Sequence, residues 1–286
     1  MSETRGVFAI IDVIDNILDG EWISLDDIWL AQGAPNTGYF GGGLPATSLM
    51  DKIDYSNDTT AAVPGANLTF ARSLLAATGS STAGYFGGGM NSGFANVSTM
   101  DKVTYSTDST AAVPTAALSV ARTYLAATGN STAGYFGGGS PTTSLMDKVT
   151  YSTDTTGALP VAGALSSARS FLVATGSSTA GYFGGGGTPA KSTVDKVTYS
   201  TDTTAEVPGA ALSVARYTFA ATGNLTAGYF GGGTPSLKST MDKLTYSTDT
   251  TAAVPGADLT VARNHVAASS ARANALPETV TIPTNV

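Results

Sequence analysis

The hexapeptide Gly-Tyr-Phe-Gly-Gly-Gly occurs five times, beginning at Gly38, Gly84, Gly134, Gly181 and Gly228, with spacings of 46, 50, 47 and 47 residues. Two further motifs keep the same period. Asp-Lys recurs at Asp51, Asp101, Asp147, Asp195 and Asp242, and Ala-Arg ends at Arg72, Arg122, Arg169, Arg216 and Arg263. Three motifs in one register make residues 38–263 a repeat. A repeat of this kind restricts the fold to units that bury their apolar faces by stacking on neighbours. One unit reads GYFGGG, a loop of variable sequence, then a form of STMDKVTYSTDTTAAVP, then a form of GAALSVARSYLAATGNSTA. The five hexapeptides hold 20 of the 34 glycines, so the glycine excess belongs to the architecture.

A unit of about 47 residues fits either a pair of helices or a four-stranded propeller blade. The β-branched VTYSTDTT segment and the three consecutive glycines argue against helix pairs. Strands are expected at GYFGGG, at DKVTYS, at TTAAVP and at the stretch after Ala-Arg, such as TYLAATG (123–129). In the STDTT turn, Asp and Thr side chains can bond their own backbone. Tyr85 and Phe86 are adjacent and so point to opposite faces of a sheet. Both are aromatic, which predicts a sheet buried on both faces, as in radially stacked blades. One segment reads two ways. PGAALSVARYTFAATG (208–223) also suits a helix, with Pro near its start and Gly after its end. A helix there would make the chain an α/β solenoid.

The ends are set apart from the repeat. No LAATG-like strand precedes Gly38, whereas Arg263 is followed by NHVAASS, a degenerate copy of that strand. Residues 264–270 are therefore expected to pair beside the strand of Gly38 and close the ring, which would remove exposed sheet edges. The expected organisation is an N-terminal arm over 1–33, a five-bladed propeller over 34–270 and a tail over 271–286. In the arm, VFAIIDVIDNIL (7–18) reads as a short amphipathic helix with Phe8, Ile11, Ile14 and Leu18 on its apolar positions. Trp22 and Trp29 follow, and they are the only tryptophans of the chain. Trp is enriched at interaction hot spots, so these six residues form the candidate anchor for another protein or another copy of this one, the alternative being that the arm packs on its own propeller.

Charge is unevenly placed. The net charge is −7, and residues 1–33 hold seven acids against Arg5. Residues 34–263 are nearly balanced, with 13 acids and 12 bases. Without clustered cations the chain is not expected to bind nucleic acid. No apolar run reaches the roughly 20 residues that span a bilayer, so no membrane partner is expected. The opening residues are interrupted by Asp12 and Asp15 and lack the basic start of a signal peptide.

The chemistry-bearing residues are few. The chain has no cysteine and one histidine, His265, which alone builds neither a metal site nor a triad. No cofactor or metal is expected. The acids Asp51, Asp101, Asp147, Asp195 and Asp242 could ring a channel, as in propeller glycosidases with paired carboxylates. Each recurs in every unit, however, and each is expected to pair with a repeated arginine as a structural bond. A buried arginine needs such a partner. Asp108, Asp154, Asp202 and Asp249 read as turn caps, since one carboxylate per site is too few for calcium. GYFGGG lacks the lysine and the following helix of a phosphate loop. The units differ in the loop after the hexapeptide. The longest, MNSGFANVST (90–99), offers Phe94 beside Asn91 and Asn96, an aromatic and amide pairing suited to a sugar ring. Lys191 and Lys238 are the charged candidates in two other loops. Variable loops on a rigid scaffold are a common binding arrangement.

The order aromatic-Gly-Gly, Asp, Tyr, Pro, Ala-Arg and a small apolar strand resembles the kelch repeat over residues 38–263. The tryptophan usual in kelch blades is replaced by Val63, Val113, Leu159, Val207 and Val254. The arm-plus-blades plan resembles structural proteins of tailed bacteriophages, of the cyanophage fibre, neck or tail appendage type. That resemblance implies a non-enzymatic protein on the virion exterior. Residues 1–33 would bind other virion structural proteins, and the loops would bind a host surface glycan. The alternatives are a propeller glycosidase or lyase, and a free lectin-like interaction module.

Overall fold

A computed structural model describes residues 37–268. The candidate anchor residues Phe8, Ile11, Ile14, Leu18, Trp22 and Trp29 lie outside the described residues, as does the 271–286 tail. Five small antiparallel sheets are arranged as a five-bladed β-propeller, and the fold is all-β. Blade one holds Thr37–Gly41, Met50–Asp54 and Thr59–Ala62. Blade two holds Ala76–Gly79, Ala83–Gly87, Met100–Thr104 and Ser109–Ala112. Blade three holds Ala126–Gly129, Ala133–Gly137, Met146–Thr150 and Thr155–Ala158. Blade four holds Val173–Gly176, Ala180–Gly184, Val194–Thr198 and Thr203–Glu206. Blade five holds Ala220–Gly223, Ala227–Gly231, Met241–Thr245 and Thr250–Ala253. The arrangement is compatible with a kelch-like propeller.

Each unit of sequence is split between two blades. The Ala-Ala-Thr-Gly strand that ends one unit pairs with the Gly-Tyr-Phe strand of the next, as Thr128 opposite Tyr135 shows. The ambiguous segment 208–223 resolves into a short 3-10 turn, Pro208–Ala210, and the strand Ala220–Gly223. No α-helix forms there. The strand is paired to its neighbour, and tertiary pairing overrides the local helix preference.

Register divides each blade into two unlike faces. In blade three, Tyr135 lies opposite Lys148 and Phe136 lies opposite Asp147. Phe136 and Val149 pack back onto Met100 and Ala116, next to blade two. Tyr135 and Met146 pack forward onto Tyr199 of blade four. Phe136 is 0% and Tyr135 1% exposed, as burial of both faces requires. The residues at the kelch tryptophan position, Val63, Val113, Leu159 and Val207, pack at the edges of these clusters.

The glycine run has a steric cause. Gly42, Gly88, Gly138, Gly185 and Gly232 all sit at positive φ, between 58° and 76°. A Cβ at each would come within 2.6–2.7 Å of the carbonyl oxygen of the arginine at Arg72, Arg122, Arg169, Arg216 or Arg263. Only glycine fits both the left-handed backbone and that approach.

One expectation fails. Residues 264–268 form no strand and do not pair with Thr37–Gly41, whose sheet has three strands among the described residues. The last two residues of the expected clasp, 269–270, lie outside the described residues. The backbone N–H of His265 instead donates to the Thr218 carbonyl, and Val266 lies against Gly232. Both contacts hold this stretch to blade five.

Candidate functional site

The repeated charges are occupied by structure. Arg122 pairs with Asp147 at 2.8 Å, Arg169 with Asp195 at 2.6 Å, Arg216 with Asp242 at 2.7 Å and Arg72 with Asp101 at 2.9 Å. All eight side chains have no solvent exposure. Burial pulls each of these guanidinium groups below its ordinary value, and the neighbouring carboxylate opposes that pull. Each of the first three arginines in that order, and Arg72 likewise, also donates to the carbonyl of the hexapeptide phenylalanine in the sheet it enters. Each aspartate further accepts the backbone N–H of Thr69, Ser119, Ser166 or Ser213. The bond therefore locks the link between blades onto the blade that follows. Four of the five expected pairs form. The fifth does not: Asp51 and Arg263 are both exposed and unpaired with each other.

A second repeated network escaped the sequence reading. The lysine after each aspartate reaches the turn aspartate of the next blade. Lys52 pairs with Asp108 at 2.9 Å, Lys102 with Asp154 at 2.8 Å, Lys148 with Asp202 at 2.8 Å and Lys196 with Asp249 at 2.7 Å. The hexapeptide tyrosines Tyr39, Tyr85, Tyr135 and Tyr182 donate to the same four carboxylates. The turn aspartates are thus more than caps. They also sit at positive φ, which Asp tolerates better than most residues. Burial and the aspartate acceptor push the Tyr85 and Tyr182 hydroxyls well above the ordinary tyrosine range. For Asp154 and Asp249, burial acts upward, but the bonds from Lys and Tyr outweigh it and hold both carboxyls below the ordinary value.

What remains free to vary lies at one end of the propeller. There the loops that follow the hexapeptides run beside the Ala-Arg links, as the Thr123–Ser140 and Tyr217–Thr234 bridges show. Phe94 is 80% exposed at the tip of the longest loop, with φ of 62°. Asn91 does not stand beside it as a free amide acceptor. Its side-chain oxygen accepts the backbone N–H groups of Gly93 and Ala95, both at 3.0 Å. Asn96 donates its amide to the Ser140 carbonyl of the neighbouring loop at 2.9 Å. The two amides therefore build the loop that presents Phe94. Lys191 and Lys238 occupy equivalent places in blades four and five. The carbonyl of each accepts the N–H of the repeat arginine, Arg216 or Arg263. Both side chains are half-buried, and neither forms an ion pair among the described residues.

The same end carries a set of residues that sequence reasoning missed. Leu74, Tyr124, Phe171, Thr218 and His265 each stand two places after a repeat arginine, and each has φ between 51° and 58°. Tyr124 donates its N–H to Leu74, Phe171 to Tyr124, Thr218 to Phe171 and His265 to Thr218. This backbone chain links successive blades just before their inner strands. Two of its rings meet, those of Tyr124 and Phe171 at 4.0 Å, and the ring of Tyr217, one place before Thr218, lies 6.0 Å from that of Phe171. The backbone at these positions is constant while the side chain differs in every blade. The legible signal was that variation at a fixed offset from an invariant arginine.

Among the described residues, no group of three or more His, Asp or Glu side chains is placed to hold a metal ion. No helix of the described residues is long and apolar enough to cross a membrane. The chain matches no protein-family model, and no curated protein matches it.

Proposed function

We propose that the protein is a non-enzymatic structural component of a tailed-phage virion exterior, of fibre, neck or tail appendage type. Residues 1–33 attach it to other virion proteins, and the variable end of the propeller meets a host surface glycan. The observation that supports this reading is the division between constant and varied positions. Every repeated acid of blades two to five is engaged in holding blades together. The side chains that vary gather at one end, with Phe94 exposed there and aromatic residues converging nearby. A rigid body with one variable face suits recognition, because binding residues on loops are positioned by the scaffold beneath them. The phage setting rests on the resemblance of the arm-plus-blades plan.

Particles assembled with a chain lacking residues 1–33 test the attachment. The truncated chain is expected to be missing from purified particles while still soluble in the lysate. Incorporation at the parent level would refute the attachment. The recognition half is read on a glycan array with the full chain. Phe94→Ala is expected to weaken binding at least about tenfold, as loss of an aromatic anchor does. A parent chain that binds no glycan would overturn that half.

A further inference from the structure

The described residues carry five matching sets of interface residues, and four of them meet between blades. Across each formed interface the hexapeptide phenylalanine of one blade lies against a glycine of the blade before it. Phe86 meets Gly41, Phe136 meets Gly87, Phe183 meets Gly137 and Phe230 meets Gly184. The tyrosine hydroxyls of Tyr151, Tyr199 and Tyr246 bond Thr78, Thr128 and Thr175 of the preceding blade. The threonines Thr110, Thr156, Thr204 and Thr251 donate to carbonyls of the preceding 3-10 turn.

The residues of a fifth set are present, and among the described residues they make no contact with another blade's matching face. Blade one exposes Phe40, Leu49 and Tyr55 at 58%, 60% and 48%, with the acids Asp51 and Asp58 on the same side. Blade five exposes Arg263 and offers Lys243, with Tyr229, Gly231, Met241, Leu259 and Val266 lining a shallow cavity of about 70 Å³. Thr222 Oγ1, the counterpart of the threonines that bond a tyrosine, is buried with no hydrogen-bond partner. One face is apolar and acidic, the other apolar and basic, and each residue has its partner type opposite.

We infer that the blade-five face of one copy binds the blade-one face of a second copy, head to tail. In that interface Arg263 pairs with Asp51, Lys243 and Tyr229 engage Asp58, Tyr55 bonds Thr222 and Phe40 covers Gly231. Two observations select a second copy. First, among the described residues no strand pairing, backbone hydrogen bond or ion pair joins blade five to blade one. Second, the two faces complement each other by residue type: Asp51 and Asp58 stand on blade one, and Arg263 and Lys243 on blade five. A head-to-tail contact of this kind is heterologous. It builds a closed ring of copies if its rotation closes and a filament if it does not.

Charge reversal tests it with the full chain. The parent is expected to associate with rising concentration in sedimentation velocity. Asp51→Arg and Arg263→Asp, each alone, are expected to weaken that association by about a hundredfold or more. Mixed together they are expected to associate again, because each supplies the face that the other lacks. Both positions are exposed, so both variants should keep the parent's circular dichroism melt. A second measurement separates a second copy from self-closure. The parent has no cysteine. Asp51→Cys combined with Arg263→Cys in one chain is expected to give a ladder of disulfide-linked copies. A parent that stays monomeric at all concentrations would overturn the inference. So would reversal variants that associate like the parent, or a double-cysteine chain that oxidises only within the monomer.

Discussion

The interface between blades three and four and the open faces of blades one and five are built from the same residue types, and only one of them is closed. Phe183 is 0% exposed and Phe40 is 58%. Asp195 is buried against Arg169, whereas Asp51 stands in solvent. The difference lies in the neighbour and not in the unit. A blade buries one sheet face on the blade before it and the other on the blade after it, and among the described residues blades one and five each have one face that meets no other blade. Repeat proteins commonly protect such ends with polar capping units. Here the terminal faces keep the interior pattern of the repeat.

The comparison is broken most severely at the buried ion pair. Asp195→Asn leaves the Arg169 guanidinium buried without a counter-charge, and that is expected to cost about 3–5 kcal/mol. Asp51→Asn, at the same position in the first unit, is expected to change stability by less than about 0.5 kcal/mol at concentrations where the chain is monomeric. Urea unfolding of the two variants beside the parent measures both. Equal losses would mean that the faces of blades one and five are as covered as the interior.

A smaller effect sharpens the same contrast. Tyr135→Phe removes the hydroxyl that donates to Asp202 at 2.6 Å and is expected to cost about 1 kcal/mol. Tyr229→Phe removes a hydroxyl that meets no turn aspartate among the described residues and is expected to be near neutral in the monomer. A destabilised Tyr229→Phe would show that blade five's forward face has a partner within its own chain.

Much of this was legible because repetition amplifies weak signals. One Asp-Lys dipeptide says little, but five at a fixed period mark a strand position. The pairing of Asp147 with Arg122 follows from the need of a buried arginine for a partner. The Lys148–Asp202 pair was equally repetitive yet went unread. Its partners lie 54 residues apart, and the turn aspartate already had a sufficient local explanation as a cap. The structural role of Asn91 escapes a reading by residue type for the opposite reason. Its residue type suits a ligand, but in a tight loop its side-chain oxygen also accepts the backbone N–H groups of Gly93 and Ala95. The clasp over 264–270 was inferred from strand-like composition. Composition does not report the step between blades, which decides whether the last strand ever reaches the first.

The smallest expected effect is on the pH dependence of stability. Asp154 and Asp249 are held below the ordinary carboxylate value by Lys and Tyr donors, against the upward push of burial. Asp108 is held down in the same way by Tyr39 and Lys52. A carboxyl whose folded value lies below its unfolded value of about 4 favours folding above that value. Its contribution is lost as pH falls through the folded value. Stability should therefore decline on the acid side below about pH 4, with each half-exposed pair contributing less than about 1 kcal/mol. Lys102→Met takes away the cation beside Asp154, so its acid decline should be shallower than the parent's. Lys243→Met removes a lysine that pairs with no turn aspartate among the described residues, so its acid limb should follow the parent's. Thermal melts from pH 7 to pH 2.5 compare the three chains. A Lys243→Met limb as shallow as that of Lys102→Met would place Lys243 opposite a carboxylate in solution. In dilute monomer, the candidate nearest to hand is Asp58 across the unclosed faces of the same chain.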